Sequence, residues 1–150
     1  MSNPYLSRVQ QKLAHCRLTL ELHSTGASIQ QQQALIEAAL LHLAVALRLY
    51  VREVGHYRDL PMPDRLYSVD DLLTETAGGV AVDELAAREF VASIEAAEKS
   101  VLNPAVGGVK MIAASINSVT VTDLDLAQVK HWLQDFETLA ERQRQSFLEY

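Results

Sequence analysis

Leu6, Val9, Leu13, Cys16, Leu20 and His23 recur at alternating steps of three and four. This is the spacing of one helix face packed lengthwise against another helix. Leu18 and Leu22 fall beside that stripe and are expected to widen it. Asn3 as N-cap and Pro4 at the first helical position predict the start of this helix, and Gly26 its end. Ser28 then caps a second, longer helix that can run to about Arg58, before Pro61 and Pro63 break it. Its middle, EAALLHLAVALRLYVREVGHY over 37–57, is the most apolar stretch of the chain, yet carries His42, Glu53 and His56.

Ser68 and Asp71 have capping-box spacing and predict a short helix that stops at Gly78 and Gly79. Asp83 and Glu84 suit the first turn of a fourth helix. Its stripe of Leu85, Phe90, Val91, Ile94, Ala97 and Val101 continues unbroken to the stop at Asn103-Pro104. A short helix fits 109–116, and SVTVT at 118–122 reads as extended loop because no second strand is available to pair with it. Thr122 and Asp125 again have capping-box spacing, ahead of a last helix carrying Leu126, Val129, Leu133, Phe136, Leu139, Gln143 and Phe147. The chain therefore reads as one all-α domain over 1–150, a helical bundle of three long helices plus two or three short ones.

Composition agrees with helices. Apolar residues make up 49% and charged residues 21%, with only nine aromatic side chains, so Leu and Ala must supply most of the core. Of the net charge of −6, all falls between 67 and 100, where eight acids face Arg88 and Lys99. The remainder balances, no basic stripe is visible along the chain, and phosphate-driven nucleic-acid binding is not expected. The single cysteine excludes an internal disulfide and a multi-Cys zinc site, and its place on the first seam makes it a core residue. The first residues lack an apolar signal region, and the apolar run over 38–47 contains His42 and stops at Arg48. No membrane span is expected, and the cytoplasm is the simplest compartment.

Chemistry-bearing patterns are few. At about 100° per residue, Glu37, Arg48 and Arg52 fall on one line of the second helix, expected to face solvent, while His42 and Glu53 point elsewhere. His42 and Glu53 are roughly 16 Å apart along the axis, too far to share one ion. Glu53 and His56 form Glu-x-x-His, the helical unit of di-iron bundles, but no second such unit exists. Neither a metal nor another cofactor is called for. No nucleophile elbow, phosphate loop or Cys/His pair appears. Arg17 with His23, and Arg8 with His15, fit the Arg-x(4–6)-His of HEPN-like ribonucleases. With nine Arg and five His, chance alone supplies about one such match, and apolar residues follow both arginines.

Four segments carry a resemblance: Tyr5-Leu-Ser-Arg8-Val-Gln-Gln-Lys12-Leu13, Glu37-Ala-Ala-Leu-Leu-His42-Leu, Tyr50-Val-Arg52-Glu53-Val-Gly-His-Tyr57, and Trp132 with Glu141-Arg142-Gln-Arg144. On these the chain resembles a small, all-helical proteobacterial family described as a domain of unknown function. The resemblance implies a helical cytoplasmic protein and no particular activity. Arg8, Lys12, His42, Arg52, Glu53 and Tyr57 are the polar members of the first three segments. If they met, they would form a register-fixing network between the first two helices, or line a small polar pocket. The resulting expectation is a non-enzymatic interaction module, self-associating as a homodimer or binding a protein partner. The competing expectation is a small-molecule-binding or hydrolytic bundle around His42, Arg52, Glu53 and Tyr57.

Overall fold

The computed structural model describes residues 2–23, 27–103 and 124–148. Six α-helices account for most of them: α1 Leu6–Glu21, α2 Ile29–Tyr57, α3 Val69–Thr76, α4 Val80–Ala87, α5 Glu89–Leu102 and α6 Leu126–Leu148, with a 3-10 turn at Pro63–Arg65. No strand occurs among the described residues, so the protein is all-α, as its apolar periodicity requires. The segments 109–116 and 118–122 lie outside the described residues.

Local chemistry sets the helix starts. Ser28 accepts from the Gln31 backbone N–H while Gln31 returns a bond to the Ser28 N–H, a complete capping box. Ser68 and Asp71 do the same for α3. At α6 the reciprocal pair is Asp125 with Gln128, at 2.8 and 3.1 Å; the expected box at Thr122 lies outside the described residues. Asn3 accepts from the Tyr5 N–H at 3.1 Å, and its amide donates to the carbonyl of Glu53 at 2.8 Å. The helix starts two residues later than expected, with Tyr5 at the N-cap position and no side-chain cap bond, so Asn3 does not cap α1 and Pro4 is not its first residue; Asn3 instead fastens the start of the chain to α2.

The axis of the fold is α2. Its buried residues, from Ala39 through Leu43, Leu47, Tyr50 and Val54, pack against Val9, Leu13, Cys16 and Leu20 of α1, Phe90, Val91 and Ile94 of α5, and Val129, Leu133, Phe136 and Leu139 of α6. Helices α1 and α2 are antiparallel: Tyr5 lies beside His56, with ring centroids 6.5 Å apart, and His15 beside His42 at 5.2 Å. Tyr50, Phe136 and Phe90 form a chain of aromatic contacts at 5.5 and 5.7 Å that joins α2, α6 and α5.

Four expectations change. Leu18 and Leu22 do not widen the buried stripe; they stand 57% and 69% exposed, because α1 is covered on one side only. The fourth helix is two, α4 and α5, because Arg88 adopts an extended backbone (φ −75°, ψ 129°) and turns the chain between them. Arg48 does not face solvent, since α5 packs over it. Finally, α2 is long and apolar enough, by length and composition, to cross a bilayer. A buried core helix meets the same test, and α2 packs against α1, α5 and α6 with a buried carboxylate on it.

Cys16 is fully buried, and burial, followed by the nearby Glu137 carboxylate, pushes its thiol up to about 12. The thiolate is the reactive form. Cys16 should therefore resist a thiol-specific reagent in the native protein at pH 8 and react stoichiometrically once unfolded in guanidinium. Rapid native labelling would show the α1–α2 seam to be open.

Candidate functional site

Glu53 is 0% exposed, on the face of α2 directed at α6. A carboxylate there must find compensation inside the protein. Arg144 provides it with two parallel bonds: Nε to Oε2 at 2.8 Å and Nη2 to Oε1 at 2.9 Å. Arg144 lies over the Tyr50 ring, 5.7 Å from its centroid. Burial would lower the arginine pKa, but the Glu53 carboxylate more than offsets this and raises it, so the guanidinium stays charged.

A second polar chain adjoins the first. Tyr50 Oη donates to Gln143 Oε1 at 2.5 Å; Gln143 Nε2 donates to the Ala81 carbonyl and to Glu84 Oε1, both at 3.0 Å. Glu84 also meets Arg142 and, less closely, Arg88 at 3.4 Å. The Arg142 guanidinium, opposed only in part by burial, holds the Glu84 carboxyl below its ordinary value. Helices α2, α4 and α6 are thereby joined by one continuous set of bonds.

On the other flank of α2, Arg48 donates to Glu98 at 2.6 Å, to Glu95 at 3.2 Å and to the Tyr67 carbonyl at 3.2 Å, with the Tyr67 ring 4.2 Å below its guanidinium. Its Nε is buried without a partner among the described residues. The arrangement joins α2 to α5 and to the segment before α3.

The six sequence-derived candidates separate. Glu53 pairs with Arg144, not with Arg52; Arg52 donates to the Leu66 carbonyl at 2.8 Å. Tyr57 stacks on Phe147 with centroids 4.5 Å apart, and its hydroxyl pKa is raised by burial and then by Glu53. Arg8 bonds to Gln11 on the surface of α1. Lys12 and His42 remain neighbours, joined by His15. Burial, then Lys12, then His15 lower the His42 pKa. Three basic groups thus share one outer patch without a carboxylate bonded to any of them among the described residues.

Three surface grooves lie away from most of these residues. One of about 400 Å³ runs between α1 and α6, with Arg17, Glu137 and Arg144 on its walls. A second, also about 400 Å³, lies beside Arg48, Tyr67 and Glu98. A third of about 280 Å³ is formed by Leu60, Met62, Arg65 and Glu75. His42, Arg52, Glu53 and Tyr57 line none of these three. No cluster of three or more metal-ligating side chains occurs among the described residues; Glu53 of the Glu-x-x-His is committed to Arg144, and His56 sits edge-on to Tyr5.

The sequence reading missed Tyr50, Gln143 and Arg144 as partners. A signal existed: Gln143 occupies a core position of the α6 stripe and Arg144 adjoins it, so a polar pair sits where the pattern asks for apolar side chains. Fold and site together define an all-α domain whose layers are keyed by buried ion pairs. The model of the family described as "Family of unknown function (DUF6586)" matches residues 1–150, and the chain belongs to that family. No curated protein and no solved structure matches it.

Replacing Arg144 by Met leaves Glu53 buried without its counter-charge and should cost about 3–5 kcal/mol in urea unfolding. The double variant Glu53→Leu/Arg144→Met should recover most of that loss. A double-variant loss equal to the sum of the Glu53→Leu and Arg144→Met single losses would show the pair to be uncoupled.

His42 gives a pH dependence of defined sign. Its pKa is lower folded than the unfolded 6.5, so the unfolded chain binds the proton more readily. Its contribution is neutral above pH 6.5 and turns destabilising as pH falls through 6.5 toward the folded pKa. The drop in Tm between pH 7.5 and 5.5 should shrink in His42→Gln; an unchanged drop would place the titration elsewhere.

Proposed function

We propose that the protein is a non-enzymatic helical interaction module of the cytoplasm that associates with a second copy of itself. The observation that carries this reading is the uncovered outer face of the α1–α2 hairpin. Leu18 and Leu22 of α1 and Val45 of α2 are exposed there, and Leu41 and Leu49 are half-buried. A layer in contact with water usually presents fewer large apolar groups side by side, and contiguous apolar surface marks an interaction site. Self-association is the commonest way to cover such a face.

The competing reading, a small-molecule or hydrolytic pocket around His42, Arg52, Glu53 and Tyr57, has less support. Glu53 is saturated by Arg144, Arg52 is held by a backbone carbonyl, and Tyr57 is stacked on Phe147. These side chains maintain helix register, which uses the same groups that catalysis would need free.

Native mass spectrometry of the purified protein, set against its denatured mass, tests the proposal. A clean doubling with nothing else bound is expected, and Val45→Asp should shift it toward monomer while helical circular dichroism is retained. A monomer carrying mass that is lost on denaturation would favour the pocket instead.

A further inference from the structure

The charge of this chain is divided unevenly between its first two helices and the rest. Residues 1–58, which build α1 and α2, carry six Arg and Lys against three acids, a net +3, and four of the five histidines. Residues 59–150 carry seven Arg and Lys against sixteen acids, a net −9. Of the three hairpin acids, Glu53 is buried in its ion pair. Arg17 pairs with Glu137, and Arg48, Arg52 and Arg58 bond to Glu98, Leu66 and Gly78, so the bases left on the outer face are Arg8 and Lys12, with His15, His42 and the apolar Leu18, Leu22 and Val45.

The two signs lie on opposite flanks of α2. At about 100° per residue, Leu41 and Val45 share one outward direction. To one side His42 and His56 meet α1 through His15 and Tyr5. To the other, Arg48 and Arg52 meet α5 and the 66–67 segment. Beyond that second flank, Asp70 and Glu75 of α3 and Glu89 of α5 are exposed, with no bonded side-chain partner among the described residues.

Resting on the self-association proposed above, the geometry points to a specific pairing: the basic, apolar-centred α1–α2 face of one copy docks against the acidic α3–α5 flank of the other. Base-on-base pairing would set Arg8 and Lys12 against their own equivalents, and like charges across an interface are costly. A two-fold axis running along the exposed stripe of α2 avoids this. It keeps the two α2 helices parallel and places each α1 over the partner's α3–α5 flank, making both attractive contacts at once. Val45 then lies near the axis, and Leu18 and Leu22 are covered by the partner.

Sedimentation equilibrium tests the pairing. The dimer should weaken as salt rises from 50 to 500 mM. The surface variants Arg8→Glu/Lys12→Glu and Asp70→Lys/Glu75→Lys should each raise the dimer Kd at least about tenfold. Mixing the two variants should restore wild-type affinity, because each then presents the sign the other needs; that rescue also shows both to be folded. A wild-type chain that stays monomeric at all concentrations overturns the self-association reading and this pairing with it. A dimer indifferent to salt and to both reversals leaves self-association standing and overturns the pairing, as does a mixture that fails to rescue.

Discussion

A carboxylate excluded from water in the middle of the longest helix constrains everything packed around it. Glu53 cannot be hydrated, so the fold must deliver a cation to it, and the cation must arrive in one orientation to satisfy both oxygens. Arg144 does so from α6, 91 residues further along the chain. That bond fixes the axial register of α6 on α2. With register set, Phe136 falls against Tyr50 and Phe90, Gln143 receives the Tyr50 hydroxyl, and Phe147 stacks on Tyr57. The Glu53 carbonyl holds Asn3 as well, so the start of the chain is fastened at the same level.

Arg48 repeats the device on the other flank, with Glu98 and Glu95 supplied by α5 and the Tyr67 ring beneath it. A helix rich in Leu and Ala has many nearly equivalent ways to slide against its neighbours, since apolar contacts carry little directional information. Two arginine–carboxylate pairs, one on each side of α2, remove that freedom. Such pairs contribute less net stability than well-packed hydrophobic replacements would, and their value lies in selecting one packing. The same arrangement engages the Glu53, Glu95 and Glu98 carboxylates in helix-to-helix bonds.

What is left uncommitted sits outside. Lys12, His15 and His42 share the outer face of the hairpin with exposed leucines and Val45, while exposed acids gather on α3 and α5. The buried charges are engaged in ion pairs between helices, while unpaired charges remain at the surface.

The all-α class, the ends of α2 and the boxes at Ser28 and Ser68 were legible because they depend on spacing and on neighbours within four residues. The core positions of α1, from Val9 to Leu20, followed from the same periodicity. Four things were not legible: the exposure of Leu18 and Leu22, the break at Arg88, the burial of Arg48, and the partner of Glu53. Each depends on which helix lies across from which, at separations of up to 91 residues. A helical wheel reports the direction of a side chain and says nothing of what stands in that direction. By itself the sequence determined the helices and their apolar faces, because local hydrogen bonding and periodicity suffice for that. The tertiary structure alone decided which polar side chains meet, because a salt bridge between distant helices exists only after the apolar faces have packed.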